Sequence, residues 1–117
     1  MKIENLMHWQ WGSYAQNHAT KINLLIHLMA VPAFIIANAW LLYATIRLDV
    51  VGVSVSTSAM LVSVGLQGFG HDREPIPPAP FSSVGNAAAR IFLEQWITFP
   101  RFVASGGWLR SYRDAHR

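Results

Sequence analysis

The run from Ile22 to Ile46, INLLIHLMAVPAFIIANAWLLYATI, contains no Asp, Glu, Lys or Arg. A second uncharged run, VVGVSVSTSAMLVSVGLQGF, extends from Val50 to Phe69. A helix needs about 20 mainly apolar residues to cross the ~30 Å hydrocarbon core of a bilayer, and both runs reach that length. The sequence therefore predicts two membrane-spanning helices, over about residues 22–46 and 50–69.

Two other structures fit the same runs. Both runs could form buried helices of a soluble bundle, and the alternating pattern VGVSVSTS at residues 51–58 is also typical of a β-strand. The composition favours the membrane, because the chain is 52% hydrophobic and only 13% charged, against about 25% charged residues in soluble domains. Small residues at four-residue spacing, such as Gly52 and Ser56, would also let two membrane helices approach closely.

The connection between the two runs sets their arrangement. Only Arg47, Leu48 and Asp49 separate them, so the two helices must be antiparallel neighbours. A chain of 117 residues has room for a single domain, residues 1–117. Aromatic residues before the first run and an amphipathic pattern after Ser82 are typical of helices at a membrane interface. We therefore expect an all-α fold, a membrane helical hairpin of two spans with flanking interfacial amphipathic helices.

Basic residues indicate the orientation of this hairpin. Of the nine Lys and Arg residues, only Arg47 lies in the connection between the spans, and the others lie on the side shared by both termini. By the positive-inside rule, we expect an integral membrane protein with both termini in the cytoplasm. Because the positive charges lie towards the ends of the sequence, we do not expect nucleic acid to be a partner.

Histidines collect at one end of the predicted hairpin. Folding the chain about Leu48 brings His27 beside His71, and His18 lies shortly before the first span at the same membrane face. Glu74 follows His71 by three residues, so the two side chains would project to the same side if the second helix continued that far. The chain has no cysteine, so these His and carboxylate side chains are the candidate metal ligands.

His18 and His27 can share one site only if the helix is broken between them. Their spacing of nine residues would place them on opposite faces of an unbroken helix, at ~100° per residue. Thr20 and Asn17 are candidate N-cap residues that would start a new helix between the two histidines.

Imidazole and carboxylate ligands indicate a class of metal but leave alternatives open. They suit iron, zinc or manganese, and with open coordination positions they form the sites of non-haem Fe(II) oxygenases. In one alternative, His27 is an interfacial histidine hydrogen-bonded to Asn23. In another, the chain is a non-catalytic integral membrane protein with a structural His/Glu metal site, which closed coordination would distinguish from a catalytic one.

A set of ordered residues resembles the family of small membrane 2-hydroxy fatty acid dioxygenases. The resemblance covers about residues 14–81. It consists of two motifs, Tyr14-x3-His18-x4-Asn23-x3-His27 followed by Pro32, and Gln67-x2-Gly70-His71 followed by Glu74 and Pro78-Ala79. In this sequence two residues separate His71 from Glu74, where the family more often has three, which leaves the ligand role of Glu74 open.

The resemblance implies a multi-pass, Fe(II)-dependent dioxygenase of fatty acid α-oxidation. Such an enzyme uses O2 to convert a 2-hydroxy fatty acid to the fatty acid one carbon shorter, so the implied partners are the membrane, a lipid or fatty acyl substrate and O2. The implied iron ligands are His18, His27, His71 and, as the fourth candidate, Glu74. The residues implied to surround the ligands or the substrate are Asn23, Gln67 and Tyr14, and Arg73 is a further candidate because it lies close to His71 in the sequence. Arg73 would pair with the substrate carboxylate, or alternatively is a solvated basic residue near anionic lipid.

Overall fold

The computed structural model describes residues 2–115, and between these residues it contains helices and no β-strand. The helices follow one another as α1 (Ile3–Tyr14), α2 (Lys21–Ile46), α3 (Val50–His71), α4 (Val84–Leu93), a π-helix (Glu94–Thr98), α5 (Phe99–Ala104) and α6 (Gly107–Asp114). The predicted all-α fold is confirmed, and the β-strand alternative for residues 51–58 is excluded because they lie within α3.

Helices α2 and α3 form the predicted antiparallel hairpin, joined by a tight turn. Leu48 takes a left-handed conformation in this turn (φ 54°), and Asp49 caps α3 by accepting a hydrogen bond from the Gly52 N–H at 3.0 Å. A Cβ atom at Gly52 would lie 2.9 Å from the Cβ of Ala44, so the missing side chain lets the helices approach closely. Near the other end, the Ser63 hydroxyl donates across the pair to the Ala30 carbonyl at 2.6 Å.

Both long helices meet the length and composition expected of membrane spans. Of the residues in their most apolar windows, only 33% in α2 and 22% in α3 are buried within the chain. Large apolar side chains such as Met29, Ile36 and Val51 lie exposed on the outer faces. The hairpin is therefore not the buried core of this chain, which favours association with a membrane; the cytoplasmic placement of the termini stays a prediction.

The shorter helices fold back over the end of the hairpin where α2 begins and α3 ends. Buried side chains from α1, α2 and α5 form a core there, consisting of Tyr14, Leu24, Val31, Phe99 and Phe102. In α6, the Trp108 indole donates a hydrogen bond to the Leu24 carbonyl at 3.0 Å. The segments flanking the hairpin are thus helical as expected, while their location at a membrane interface stays a prediction.

Two helix starts near this end follow from local capping. Thr20 is the N-cap of α2, so the predicted break between His18 and His27 is confirmed. Ser83 begins α4 by accepting a hydrogen bond from the Asn86 N–H at 3.0 Å. Pro100 lies in the first turn of α5 directly after the π-helix, so the chain stays helical through the proline.

Candidate metal centre

Three histidines and one glutamate converge where the short helices cover the end of the hairpin. His18, His27, His71 and Glu94 each offer one ligand atom, and these atoms all lie within 4.8 Å of one another. The Nε2 atoms of His18 and His27 are 3.3 Å apart, and the Oε2 atom of Glu94 lies 3.3 and 3.2 Å from them. A group with this composition and spacing is able to hold a metal ion.

Backbone carbonyls orient two of the imidazoles. The Nδ1 atom of His18 lies 2.8 Å from the Tyr14 carbonyl, and that of His27 lies 3.1 Å from the Asn23 carbonyl. Because a carbonyl oxygen only accepts, each Nδ1 carries a proton, which leaves Nε2 as the ring atom that can present a lone pair to a metal. This arrangement, with the second ring nitrogen held by a carbonyl, is the usual support of a metal-bound histidine.

The Nε2 atoms of His18 and His27 and the carboxylate of Glu94 face one another. Burial lowers the pKa of His18, which favours its neutral form. Burial alone would raise the pKa of Glu94, but its interactions with His18 and His27 outweigh burial and hold that pKa well below the usual value. Two imidazole lone pairs and an ionised carboxylate at about 3 Å repel one another unless a cation or a proton lies between them. The donor set therefore fits a metal cation.

His71, the last residue of α3, completes the group. Its ring centroid lies 4.7 Å from that of His18 and 4.8 Å from that of His27. Its Nδ1 atom is buried and has no hydrogen-bond partner among residues 2–115. One ring nitrogen of His71 is among the four ligand atoms that lie within 4.8 Å of one another, so His71 can join the other three residues in holding an ion.

Glu94 is the first residue of the π-helix. The Tyr14 hydroxyl donates a hydrogen bond to its Oε2 atom at 2.7 Å, and Tyr14 also stacks on His18 with ring centroids 3.9 Å apart. Burial and the adjacent Glu94 carboxylate raise the pKa of Tyr14 well above its usual value, so its hydroxyl keeps the proton that it donates. A π-helical turn inside an α-helix often marks a functional site, and here it begins at the carboxylate of the cluster.

The structure differs from the sequence expectation at the fourth position of the cluster, because Glu74 lies elsewhere. Helix α3 ends at His71, so His71 and Glu74 do not share a helical face. The Glu74 carboxylate instead accepts hydrogen bonds from the N–H groups of Ala19 and Thr20, at 2.9 and 3.1 Å, and from the Asn23 amide at 2.8 Å. Glu74 thus ties the segment after α3 to the start of α2, and Glu94 supplies the carboxylate of the cluster.

The remaining candidate site residues are Asn23, Gln67 and Arg73, and only the first two contact residues near the cluster. Asn23 holds His27 through its carbonyl and Glu74 through its side chain. Gln67 forms a reciprocal amide pair with Gln95, at 2.8 and 2.9 Å. Arg73 is exposed and lies 4.5 Å from the ring of Phe69, so it is not brought to the cluster.

A cavity of about 300 Å³ adjoins the cluster. Three of the four clustered residues, His18, His71 and Glu94, contribute to its wall. Arg90 and Asp72 contribute charged groups, neutral polar side chains such as Gln67 and Gln95 contribute further polar atoms, and aromatic and apolar side chains contribute much of the remaining wall. The cluster therefore faces a space that a small ligand or the head of a larger one can enter.

Glu94 was missed at the level of sequence, although one signal pointed to it. It is the single charged residue between Arg90 and Arg101, in an otherwise apolar and aromatic helical stretch. An isolated carboxylate in such a stretch is costly to bury, which makes it a candidate for function.

Comparisons of this chain with protein-family models, with curated proteins and with solved structures find no match.

Proposed function

We propose that this chain is a membrane-embedded, Fe(II)-dependent dioxygenase that converts 2-hydroxy fatty acids to the fatty acid one carbon shorter. The observation that carries the proposal is the convergence of His18, His27, His71 and Glu94 beside a cavity, at one end of a hairpin with apolar outer faces. The order of histidines, Asn23 and Gln67 in the sequence, which resembles the family of 2-hydroxy fatty acid dioxygenases, supports the choice of substrate.

The choice of iron rests on ligand chemistry and on that resemblance. Imidazole and carboxylate ligands suit iron, zinc and manganese alike. His18, His27, His71 and Glu94 would hold the ion, and the adjoining cavity would let a ligand reach it, as a catalytic metal requires. Bound iron would supply the oxygen chemistry, which amino-acid side chains do not provide by themselves.

The protein residues would orient the ligands and shield the site. The carbonyls of Tyr14 and Asn23 fix the two imidazoles, and the Tyr14 hydroxyl holds the carboxylate of Glu94. Aromatic and apolar walls of the cavity limit the access of water. The apolar tail of the substrate would extend towards the hairpin and the surrounding lipid, with both termini of the chain in the cytoplasm.

Turnover by the iron-loaded protein tests this proposal. The protein is purified anaerobically in detergent and reconstituted with Fe(II), and O2 uptake and the acid product are followed with a 2-hydroxy long-chain fatty acid. We expect iron-dependent formation of the acid one carbon shorter. His71→Ala should abolish it, whereas His8→Ala, at an exposed histidine of α1, should not change it.

Two other outcomes would contradict the proposal in different ways. Tight binding of iron without a shortened product would leave a metal site with another role, including the structural role considered above. Failure to bind iron, zinc or manganese would mean that the histidines form a polar network without a metal.

A further inference from the structure

Arg90 of α4 occupies an unusual position in the wall of the cavity. The side chain is only 6% exposed. Two aromatic rings lie against its guanidinium group, with Trp9 and Phe81 centred 4.8 and 4.4 Å from the guanidinium carbon. The terminal nitrogens donate to the Pro80 carbonyl at 3.1 Å and to the Ala79 carbonyl at 2.7 Å.

In the part of the chain that the structure describes, this buried cation makes no ion pair in direct contact, and Glu94 acts on it only at longer range. The ion pairs found between residues 2 and 115 are those of Glu94 with His18 and His27. The Nε atom of Arg90 is buried and has no hydrogen-bond partner in the same part of the chain. Burial of a charge that contacts no opposite charge costs free energy, and hydrogen bonds to carbonyl oxygens offset only part of this cost. An anion in the cavity would provide the missing compensation.

Arg90 and the metal cluster face the same cavity. Arg90, His18, His71 and Glu94 all contribute to its wall. Arg90 and Glu94 are four residues apart along a continuous helical segment, so their side chains project to similar sides. A ligand in this cavity can thus reach the guanidinium group with one part and the cluster with a neighbouring part.

We propose that Arg90 binds the carboxylate of the substrate, and that the site takes free 2-hydroxy acids rather than their esters or thioesters. The inference rests on the proposed function for its choice of substrate. Trp9, Phe81 and Arg90 line the same cavity, and the two rings lie against the guanidinium group, so its edge is the part left for a ligand in the cavity to pair with. In-plane approach is the geometry in which a guanidinium group pairs with a carboxylate.

The test compares the binding of two ligands to the full chain in detergent, 2-hydroxytetradecanoate and its methyl ester. The protein is loaded with Zn(II), which is redox-inactive, so that binding is measured without turnover. We expect Arg90→Gln to weaken the binding of the acid about 10- to 100-fold, because a hydrogen-bonded charge pair is lost, and to leave the ester unaffected. Arg101→Gln is the matched control, because Arg101 also stacks on a tryptophan, Trp11 at 4.0 Å, but lies outside the cavity wall.

A second measurement keeps the test decisive if Arg90→Gln does not fold, which its failure to bind Zn(II) would reveal. Metal-free wild-type protein has no metal to attract a carboxylate, so any preference for the acid must come from the chain. Tighter binding of the acid than of the ester supports the proposal, and equal affinities would overturn it. If the acid binds through Arg90 but iron-loaded protein makes no shortened product, the proposed reaction fails while the carboxylate site stands. Equal turnover of acid and ester would instead support the proposed reaction and contradict the carboxylate site.

Discussion

Two carboxylates lie close to the histidines, the buried Glu74 and the partly buried Glu94, and their surroundings differ. Glu74 accepts hydrogen bonds from two backbone N–H groups, a hydroxyl and an amide, all of which are neutral donors of the chain itself. Glu94 receives a hydrogen bond from the Tyr14 hydroxyl, and its remaining close neighbours are the Nε2 atoms of His18 and His27.

The difference indicates what each carboxylate is for. The Glu74 carboxylate already accepts hydrogen bonds from protein donors, so its role is to hold the turn before α2 against the segment after α3. Glu94 faces the Nε2 atoms of two imidazoles, so a cation or a proton must lie between these groups, and a bound metal ion would satisfy all of them. Nearness to a histidine in the sequence is therefore a weaker guide to a ligand than the hydrogen-bond donors that already surround the carboxylate.

Glu74→Ala should have the largest effect on stability. Truncation removes the acceptor of the N–H groups of Ala19 and Thr20 and one of the two acceptors of the Asn23 amide, so we expect a loss of about 3–5 kcal/mol in the free energy of unfolding. Denaturant titration in detergent, followed by far-UV circular dichroism, measures it. Asp72→Ala, at an exposed neighbour, should change the same quantity by less than about 0.5 kcal/mol.

The assignment of a structural role to Glu74 and a metal-binding role to Glu94 would be contradicted if Glu74→Ala were as stable as the wild type and lost metal binding. That result would make Glu74 a ligand, as its position three residues after His71 suggests.

Glu94→Gln should have the largest effect on metal binding. The amide keeps the shape of the side chain but removes the negative charge that faces His18 and His27, so we expect the affinity for Zn(II) or Fe(II) to fall by at least about 100-fold, or ~2.7 kcal/mol. Metal titration in detergent measures it. Glu4→Gln, at an exposed position in the first turn of α1, serves as the control. Unchanged affinity in Glu94→Gln would place the metal elsewhere.

The hairpin and three of the four clustered residues could be predicted from the sequence, because both follow from local patterns. The length of the two apolar runs predicts the two long helices, and the short connection between them makes the helices neighbours. This pairing brings His27 close to His71. The N-cap residue Thr20 is local as well. Glu94 could not be predicted in this way, since it reaches the cluster only because a separate helix, after a proline-rich segment, packs back over the hairpin.

Gly70→Ala tests how closely the two carboxylate sites are connected. A Cβ atom at this position of α3 would overlap the Asn23 Oδ1 atom and approach the Asn23 Cα to 3.3 Å. Displacement of Asn23 would disturb its bond to Glu74 and its support of His27, so we expect a loss of about 1–3 kcal/mol in stability together with weaker metal binding. Gly65→Ala, where a Cβ has no neighbour within 4 Å, should instead be neutral or stabilise the helix by up to about 1 kcal/mol. Similar behaviour of the two alanine variants would show that Asn23 is not held in this position.

Tyr14→Phe should have the smallest effect and isolates the hydrogen bond that Glu94 receives from the Tyr14 hydroxyl. Loss of the hydroxyl removes the 2.7 Å hydrogen bond to Oε2 while the ring still stacks on His18. We expect about tenfold weaker metal binding and a change of about 1 kcal/mol in the stability of the metal-free protein. Parallel metal titrations and unfolding curves measure both, with Tyr43→Phe at an exposed tyrosine of α2 as the control. Loss of stability without any change in metal affinity would mean that the hydroxyl holds Glu94 for the fold alone, as Glu74 is held, and the distinction between the two carboxylates would then rest on the histidines by themselves.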